Sequence, residues 1–374
     1  MNLQKVLFIL FVSGVLVSCA KDEIPVLPAK GKASLSLGLQ VRSQSESKAA
    51  GNDLNALPGE NDLHNLTAYV FNSDGSELIG YKRIDNPDTD VPVITDIETS
   101  PERIMLIVLA NLPEDVDAAV GSYAGLQSRL ASLASQTQSS LTFSTPVIRT
   151  KQALVEGEDN LIGYTAGENV DDISTPLFLT RIAARMEMNT IQTRFAGSPL
   201  AGMTVRIDHI ALANVKSYSR FFSEEDWGAV ETPLAQAGPV YGAGVSEAAS
   251  GFIAGSAPVD YLGRDFELAI GDYAPSLIPV FNTYAFENSS ADTSPTLLVV
   301  KATLVETNQT KIFTSPVNRN GIQNGYDHNY LKRNYIYRLH VTFTDKSFSS
   351  DDTSLELRVE VAGWGYVHQI EEIE

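Results

Sequence analysis

The side chains able to do chemistry are few and scattered. There is one cysteine, Cys19, so neither a thiolate metal site nor an intrachain disulfide can form. The five histidines are His64, His209, His328, His340 and His368, and no two lie within four residues of each other. Local zinc motifs need closer pairs, so no metal site is read here, and each histidine is expected to be a surface or internally satisfied residue. Ser45 and Lys48 have the Ser-x-x-Lys spacing of some serine acylases. That chemistry needs a desolvated lysine beside the hydroxyl, and their polar surroundings offer none. Asn72-Ser73-Asp74-Gly75-Ser76-Glu77 supplies oxygens without the ligand series of a calcium loop. An Asp-Gly step between two apolar runs reads instead as a hairpin turn. Neither a Gly-x-Ser-x-Gly elbow nor a phosphate-binding glycine loop is present. Carboxylates in pairs could do acid–base work, but 46 acidic residues single out no pair. The expectation is a non-enzymatic protein with no cofactor and no metal.

The one reactive group with a telling position is Cys19. Lys5 precedes the unbroken apolar run 6–12, and Gly14 to Ser18 lead into the cysteine. A charged start, an apolar middle and small residues before a cut describe a signal peptide, and the run is too short to span a bilayer comfortably. Leu16-Val17-Ser18-Cys19 resembles the lipobox of bacterial lipoproteins, whose thiol takes a diacylglycerol and becomes the new N-terminus. Lys21-Asp22-Glu23 resembles the short tag that sends lipoproteins to the outer face of Bacteroidota cells. Cys19 is therefore the expected lipidation site, and its lipid the only expected link to a membrane. The formal charge is -19, and the residues after position 42 carry 22 basic and 44 acidic side chains. Such a surface repels phosphate backbones and excludes nucleic acid as a partner.

The elements that position these residues read as β. Ala33 to Val41 alternates apolar and polar, the pattern of a half-buried strand, and residues 42–62 read as a mobile polar linker. Leu66–Phe71 and Glu77–Arg83 flank the turn at Asp74-Gly75, and Arg103–Ala110 is a strand apolar on both faces. The spacing of Leu126, Leu130 and Leu133, with Ser122 as a cap, predicts a helix over 122–135. Weaker strands are expected over 147–155 and 160–166, and an acidic turn-rich boundary over 167–176. Leu177 to Met188 then reads as a strand, followed by strands at 205–215, 277–285 and 296–304. Residues 238–255, rich in glycine, alanine and serine, read as a long surface loop. Two strong strands close the chain, Tyr335–Phe343 and Leu355–Val361. The spacing predicts an all-β protein of two antiparallel Greek-key β-sandwich domains with one or two short helices. Residues 1–19 read as the signal peptide, 20–42 hold the first strand, and the expected sandwiches cover 43–172 and 173–374.

The order of these elements resembles the fimbrillins of Bacteroidota, the subunits of type V pili. The resemblance rests on the lipoprotein signal, the alternating strand ending at Arg42, Leu66–Asn72, Arg103–Asn111 and Arg181-Ile-Ala-Ala-Arg-Met186. It continues through Asn324–Tyr326, Leu331–Tyr337 and Leu355–Val361 running into Trp364. It implies a transthyretin-like fold and a precursor cut at the cell surface by a trypsin-like or arginine-specific protease, here between Arg42 and Ser43. The strand bearing Leu35, Leu37, Leu39 and Val41 would then leave, and a neighbouring subunit's C-terminal strand would fill its groove. The donor strand on this chain would be Leu355, Leu357, Val359 and Val361 with Trp364, or the last stretch with Tyr366, Val367 and Ile370. The implied partners are copies of this chain or related fimbrial subunits, the protease, and a host or bacterial adhesion receptor. The implied location is the outer membrane surface and then the extracellular fimbrium. The acidic end at Glu371, Glu372 and Glu374 keeps a tip or accessory adhesin open beside the stalk role, and a glycan-binding surface lipoprotein that never polymerises is the rival reading.

Overall fold

The computed structural model describes residues 31–41, 56–113, 120–165, 167–222, 239–245, 251–271, 276–289, 294–349 and 355–364. Cys19, Arg42, Ser43, Tyr366, Val367 and Ile370 lie outside the described residues. The described chain is all-β, with two short helices and several sheets.

The first half runs β1 (Ala33–Val41), β2 (Asn65–Asn72), β3 (Leu78–Asp85), β4 (Val93–Thr99), β5 (Ile104–Ala110), then helix α1 (Tyr123–Gln127). It continues with β6 (Leu130–Ser132), β7 (Phe143–Ser144), β8 (Ile148–Arg149), β9 (Asp159–Ile162) and β10 (Leu177–Arg181). One sheet takes most of these in the order β3-β2-β5-β7-β10-β1-β4, with β8 beside β5 and β9 beside β1. The sheet folds over so that its two ends meet: Lys82 on β3 donates to the Thr95 carbonyl of β4 at 2.6 Å. Inside sit Leu35, Leu37, Tyr69, Phe71, Leu106 and Phe143, all buried. Every residue of β5 is buried, as its unbroken apolar run requires. At the β2–β3 turn the Gly75 N–H bonds the Asn72 carbonyl at 2.9 Å with Gly75 at φ 76, a conformation open to glycine at no steric cost.

The second half contains β11 (Ala183–Arg194), β12 (Val205–Ala213), β13 (Val215–Lys216), β14 (Tyr218–Arg220), β15 (Pro239–Gly242) and β16 (Ala257–Val259). After these come β17 (Gly263–Ile270), β18 (Ser276–Phe286), β19 (Leu297–Leu304), β20 (Gln309–Pro316), β21 (Tyr335–Thr344), helix α2 (Asp345–Ser349) and β22 (Glu356–Gly363). Two four-stranded sheets, β18-β11-β21-β22 and β17-β12-β19-β20, form a sandwich. Met186, Leu339 and Val341 of one share a core with Ile207, Leu298 and Val300 of the other. Most ladders are antiparallel; β1–β9, β1–β10, β11–β21 and β15–β16 run parallel. The short β14–β6 pair joins the two halves.

Five local expectations change, the first being the 147–155 strand, which shrinks to β8 (Ile148–Arg149). The helix over 122–135 is only α1. Ser122 caps it by accepting from Gly125 N at 3.2 Å, and Ser128 bonds back to the Gly125 carbonyl at 2.7 Å. Leu130–Ser132 then extends to pair with β14. The leucine spacing recorded burial of Leu126 and Leu133, while the serine hydroxyls competed for the helix's backbone bonds. The Leu177–Met188 strand breaks at Ile182, whose N–H goes to the Thr142 carbonyl; β10 stays in the first sheet and β11 opens the next. Within the 238–255 stretch, β15 is a buried strand paired with β13 and β16. In the 42–62 stretch, residues 57–62 form a packed turn with Glu60 buried. Strands β4, β17 and β20 escaped the alternation pattern because each ends a sheet order, where one side faces water and polar residues are retained.

Candidate functional site

β1 lies inside its sheet and is held from both sides. On one side it pairs antiparallel with β4, with Ala33 opposite Thr99, Leu35 opposite Ile97 and Leu37 opposite Ile94. The register shifts between Leu35 and Leu37, where Asp96 on β4 takes φ 53 and forms a bulge. On the other side Ser34–Leu37 run parallel to Asp159–Ile162 of β9, and Leu39–Val41 run parallel to Leu177–Leu179 of β10. The partner changes at Gly38. A Cβ on Gly38 would stand 2.4 Å from the Gly163 carbonyl oxygen, and one on Gly163 would stand 2.4 Å from the Gly38 oxygen.

Leu35, Leu37 and Leu39 are buried in the core and Val41 is half-buried. The opposite face, expected to meet solvent, is covered as well. Ser36 is buried and donates to both carboxylate oxygens of Asp159 at 3.0 and 2.9 Å. Small side chains at 36 and 38 let residues 163–164 lie across the strand. Tyr164 closes this face; burial first, then the Asp159 charge, pushes its phenol pKa up. Lifted out, β1 would leave the edges of β4, β9 and β10 unpaired beside a three-leucine trough.

The C-terminal candidates sit differently. Leu355–Val361 enter β22, which among the described residues pairs along its length with β21 alone, from Thr342 opposite Glu356 to Tyr335 opposite Gly363. Leu355 and Val361 are buried, while Leu357 and Val359 are half-buried. Just beyond, Trp364 is fully buried. The Arg181 and Arg185 guanidinium carbons lie 4.6 and 5.1 Å from its ring centroid, a favourable cation–π placement. Tyr284 stacks on it at 6.4 Å with 9° between planes.

The centre of this cluster is Glu60. Its carboxylate accepts from Trp364 Nε1 at 3.1 Å, from Tyr284 Oη at 2.6 Å and from Leu57 N at 2.6 Å, and it pairs with Arg185. Burial, then the Glu60 charge, raises the Tyr284 pKa, so the phenol remains a donor. Charge continues across the sheet: Arg185 meets Glu187 at 2.5 Å, Glu187 meets Arg338 at 3.0 Å, and Arg338 meets Glu360 of β22 at 3.1 Å. Arg181 donates to the Glu60 carbonyl at 3.2 Å within the first half, and reaches the second half by donating its backbone N–H to Asn334 Oδ1 at 3.3 Å. Sequence reading placed Trp364 but missed Glu60 and Tyr284 as its partners. The visible signal was a pair of arginines four apart inside an apolar run, which demands buried acceptors. Nothing in Leu57-Pro58-Gly59-Glu60 named the acceptor.

The histidines are spread through the fold. His209 Nδ1 meets Asp265 at 2.8 Å, His328 lies between Asp327 and the Tyr337 hydroxyl, and His340 Nδ1 meets Thr190 at 2.7 Å. His64 is exposed and contacts the Ser139 carbonyl at 2.6 Å. His368 lies outside the described residues.

Known proteins match both halves. Residues 33–181 match the family model of the major fimbrial subunit protein (FimA). Residues 182–243 and 244–364 match that of the fimbrium tip subunit Fim1C-like C-terminal domain. Fim1C of Parabacteroides distasonis, named as a candidate fimbrium tip subunit, is 40% identical over 98% of this chain and 99% of its own length. A crystal structure of a candidate cell adhesion protein from the same organism aligns with TM-score 0.75 and 39% identity, covering 90% of this chain and 98% of that one. A fimbrilin (FimA) structure from Porphyromonas gingivalis shares the fold, with TM-score 0.63 at 20% identity over 91% of this chain and 99% of that one. With its full length aligned to one such relative and each half to a fimbrial family model, this chain belongs to the fimbrillin family of Bacteroidota.

Proposed function

We propose that the chain is a fimbrial subunit of the tip type, which accepts a strand from a neighbouring subunit into the place of β1. It is exported as a lipoprotein on Cys19, held at the outer surface, and cut between Arg42 and Ser43 by a trypsin-like or arginine-specific protease. The first sandwich, which β10 extends to residue 181, takes the donated strand; the second, from residue 182 on, faces outward toward a host or bacterial receptor.

The carrying observation is the placement of β1. It is joined to its sheet by backbone bonds and apolar burial, and removal unpairs three strands at once, β4 on one side and β9 and β10 on the other. Unpaired N–H and C=O groups beside an apolar trough are what an incoming strand satisfies. The tip role draws support from the 40% identity to Fim1C and from β22, whose apolar residues serve their own sheet while Trp364 is held by Glu60. A stalk subunit built on this chain would have to give up that strand or extend the residues beyond it.

The test starts from purified precursor lacking residues 1–20. Trypsin should yield an N-terminus at Ser43, and the freed 21–42 segment should exchange against added fimbrial strands. Arg42→Ala should retain the segment and abolish assembly. Fibres from Arg42→Ala overturn the processing site. SDS-resistant ladders from the cut chain alone overturn the tip role in favour of a stalk subunit.

A further inference from the structure

Building on the strand-exchange reading, we infer that the groove selects its donor by a glycine at the Gly38 position, and that this excludes the chain's own C-terminal strand. The partner is then a different fimbrial subunit. Its donor strand carries alternating apolar residues at the positions of Leu35, Leu37 and Leu39, a glycine between the last two, and a small hydroxyl residue between the first two.

The geometry rests on backbone. At Gly38 the obstacle is the Gly163 carbonyl, 2.4 Å from an added Cβ, followed by Gly163 C at 2.9 Å. Backbone atoms cannot rotate aside as a flexible side chain would. The crossing is tight from both directions, since Gly163 itself has φ 80 and a Cβ there would meet the Gly38 oxygen. It is also the point where β1 passes from β9 to β10, so the donor cannot swing away without forfeiting one ladder. Two residues earlier, Ser36 gives its hydroxyl to the Asp159 carboxylate. An acidic residue there would set like charges together.

No register of the chain's own C-terminal sequence meets these conditions. Placing Leu357, Val359 and Val361 on the three leucine positions puts Arg358 at the Ser36 position and Glu360 at the Gly38 position. Moving back two residues puts Glu356 against Asp159 and Arg358 against the Gly163 carbonyl. Residues 366–374 contain no glycine. Using Gly363 would set Glu360 in the space of Leu35, and using Gly365 would set Trp364 and Tyr366 in the spaces of Leu37 and Leu39. The latter would also pull Trp364 from the Glu60 cluster.

The experiment uses trypsin-cut full-length chain and three labelled synthetic peptides: residues 33–41, the same peptide with Gly38→Val, and residues 355–363. Uptake is read by native mass spectrometry and by the label retained after gel filtration. The 33–41 peptide should enter and displace the resident segment. The Gly38→Val peptide should bind roughly 10- to 100-fold more weakly, the range for overpacking a closed site, and the 355–363 peptide should not be retained. Equal uptake of the native and Gly38→Val peptides overturns the glycine rule while leaving strand exchange standing. Uptake of 355–363 comparable to 33–41 overturns the exclusion of self-addition. If 33–41 itself does not enter, strand exchange fails and this inference falls with it.

Discussion

β1 and β22 carry the same kind of sequence, four alternating apolar residues near an end of the chain, and the fold treats them in opposite ways. β1 is interior to its sheet, with backbone partners on both sides and both faces covered over most of its length. β22 is, among the described residues, an edge strand with one partner, and two of the four alternating apolar residues from Leu355 to Val361 are only half-buried. By contact alone β1 should be the harder to remove. What reverses the ranking is the manner of attachment. In the proposed mature protein β1 ends at the processing site and has no covalent tie, whereas β22 runs into Trp364, which Glu60, Arg181, Arg185 and Tyr284 hold between the two halves. A strand can be well packed and still exchangeable, provided a second strand can make the same bonds.

Mutations at each end break or sharpen this contrast. The largest effect is expected at the centre of the cluster. Glu60→Ala leaves the Arg185 guanidinium, the Tyr284 hydroxyl and the Trp364 indole N–H without their shared acceptor, and removing one partner of a buried ion pair costs about 3–5 kcal/mol. Urea unfolding should show it, together with faster hydrogen exchange in β22. Loss of stability with unchanged exchange in β22 would separate the cluster from the strand's retention.

Next comes the leucine pair that tests the two environments directly. Leu37→Ala in the uncut precursor should cost about 2–5 kcal/mol, the range for a fully buried leucine, and should speed release of the segment after cutting. Leu357→Ala, at a half-buried position, should cost about 1 kcal/mol. Equal costs would mean that β1 is not packed more deeply than β22.

A smaller effect is expected at Ser36→Ala, about 1 kcal/mol for a hydrogen bond to a partly solvated carboxylate, read as a shift in the urea midpoint of the precursor. The smallest is a pH dependence confined to β22. The His340 ring, 3.8 Å away, and, against the cost of burial, the Arg338 guanidinium hydrogen-bonded at 3.1 Å hold Glu360 below its ordinary value of 4.5. A depressed carboxyl stabilises the fold in full above that ordinary value and loses the contribution as pH falls through the lowered one. The wild-type urea midpoint should therefore fall on acidification below about pH 4.5, and Glu360→Gln should flatten that slope. An unchanged slope in the variant would place the acid sensitivity elsewhere.

Much of this molecule could be read from local pattern. The period-two alternation marked Ala33–Val41 and Leu355–Val361, the all-apolar run marked β5, and Asp74-Gly75 marked its turn, because side-chain alternation and positive φ are properties of a few consecutive residues. Where the pattern misled, a long-range partner had overridden it. Leu130–Ser132 left a helical spacing to pair with β14, and Ile182 split an apolar run between two sheets.

The sequence by itself determined that this chain is a β protein with an alternating first strand and a second run of the same type near its end. Only the tertiary structure decided which of the two strands lies between partners, which acid receives the buried arginines, and that Gly38 must be glycine. Alternation tells which residues face a core, and it is written in neighbouring residues. Pairing partners, buried charge and backbone crossings join residues more than a hundred positions apart, as Gly38 with Gly163 and Glu60 with Trp364. No local spacing encodes a distance of that kind.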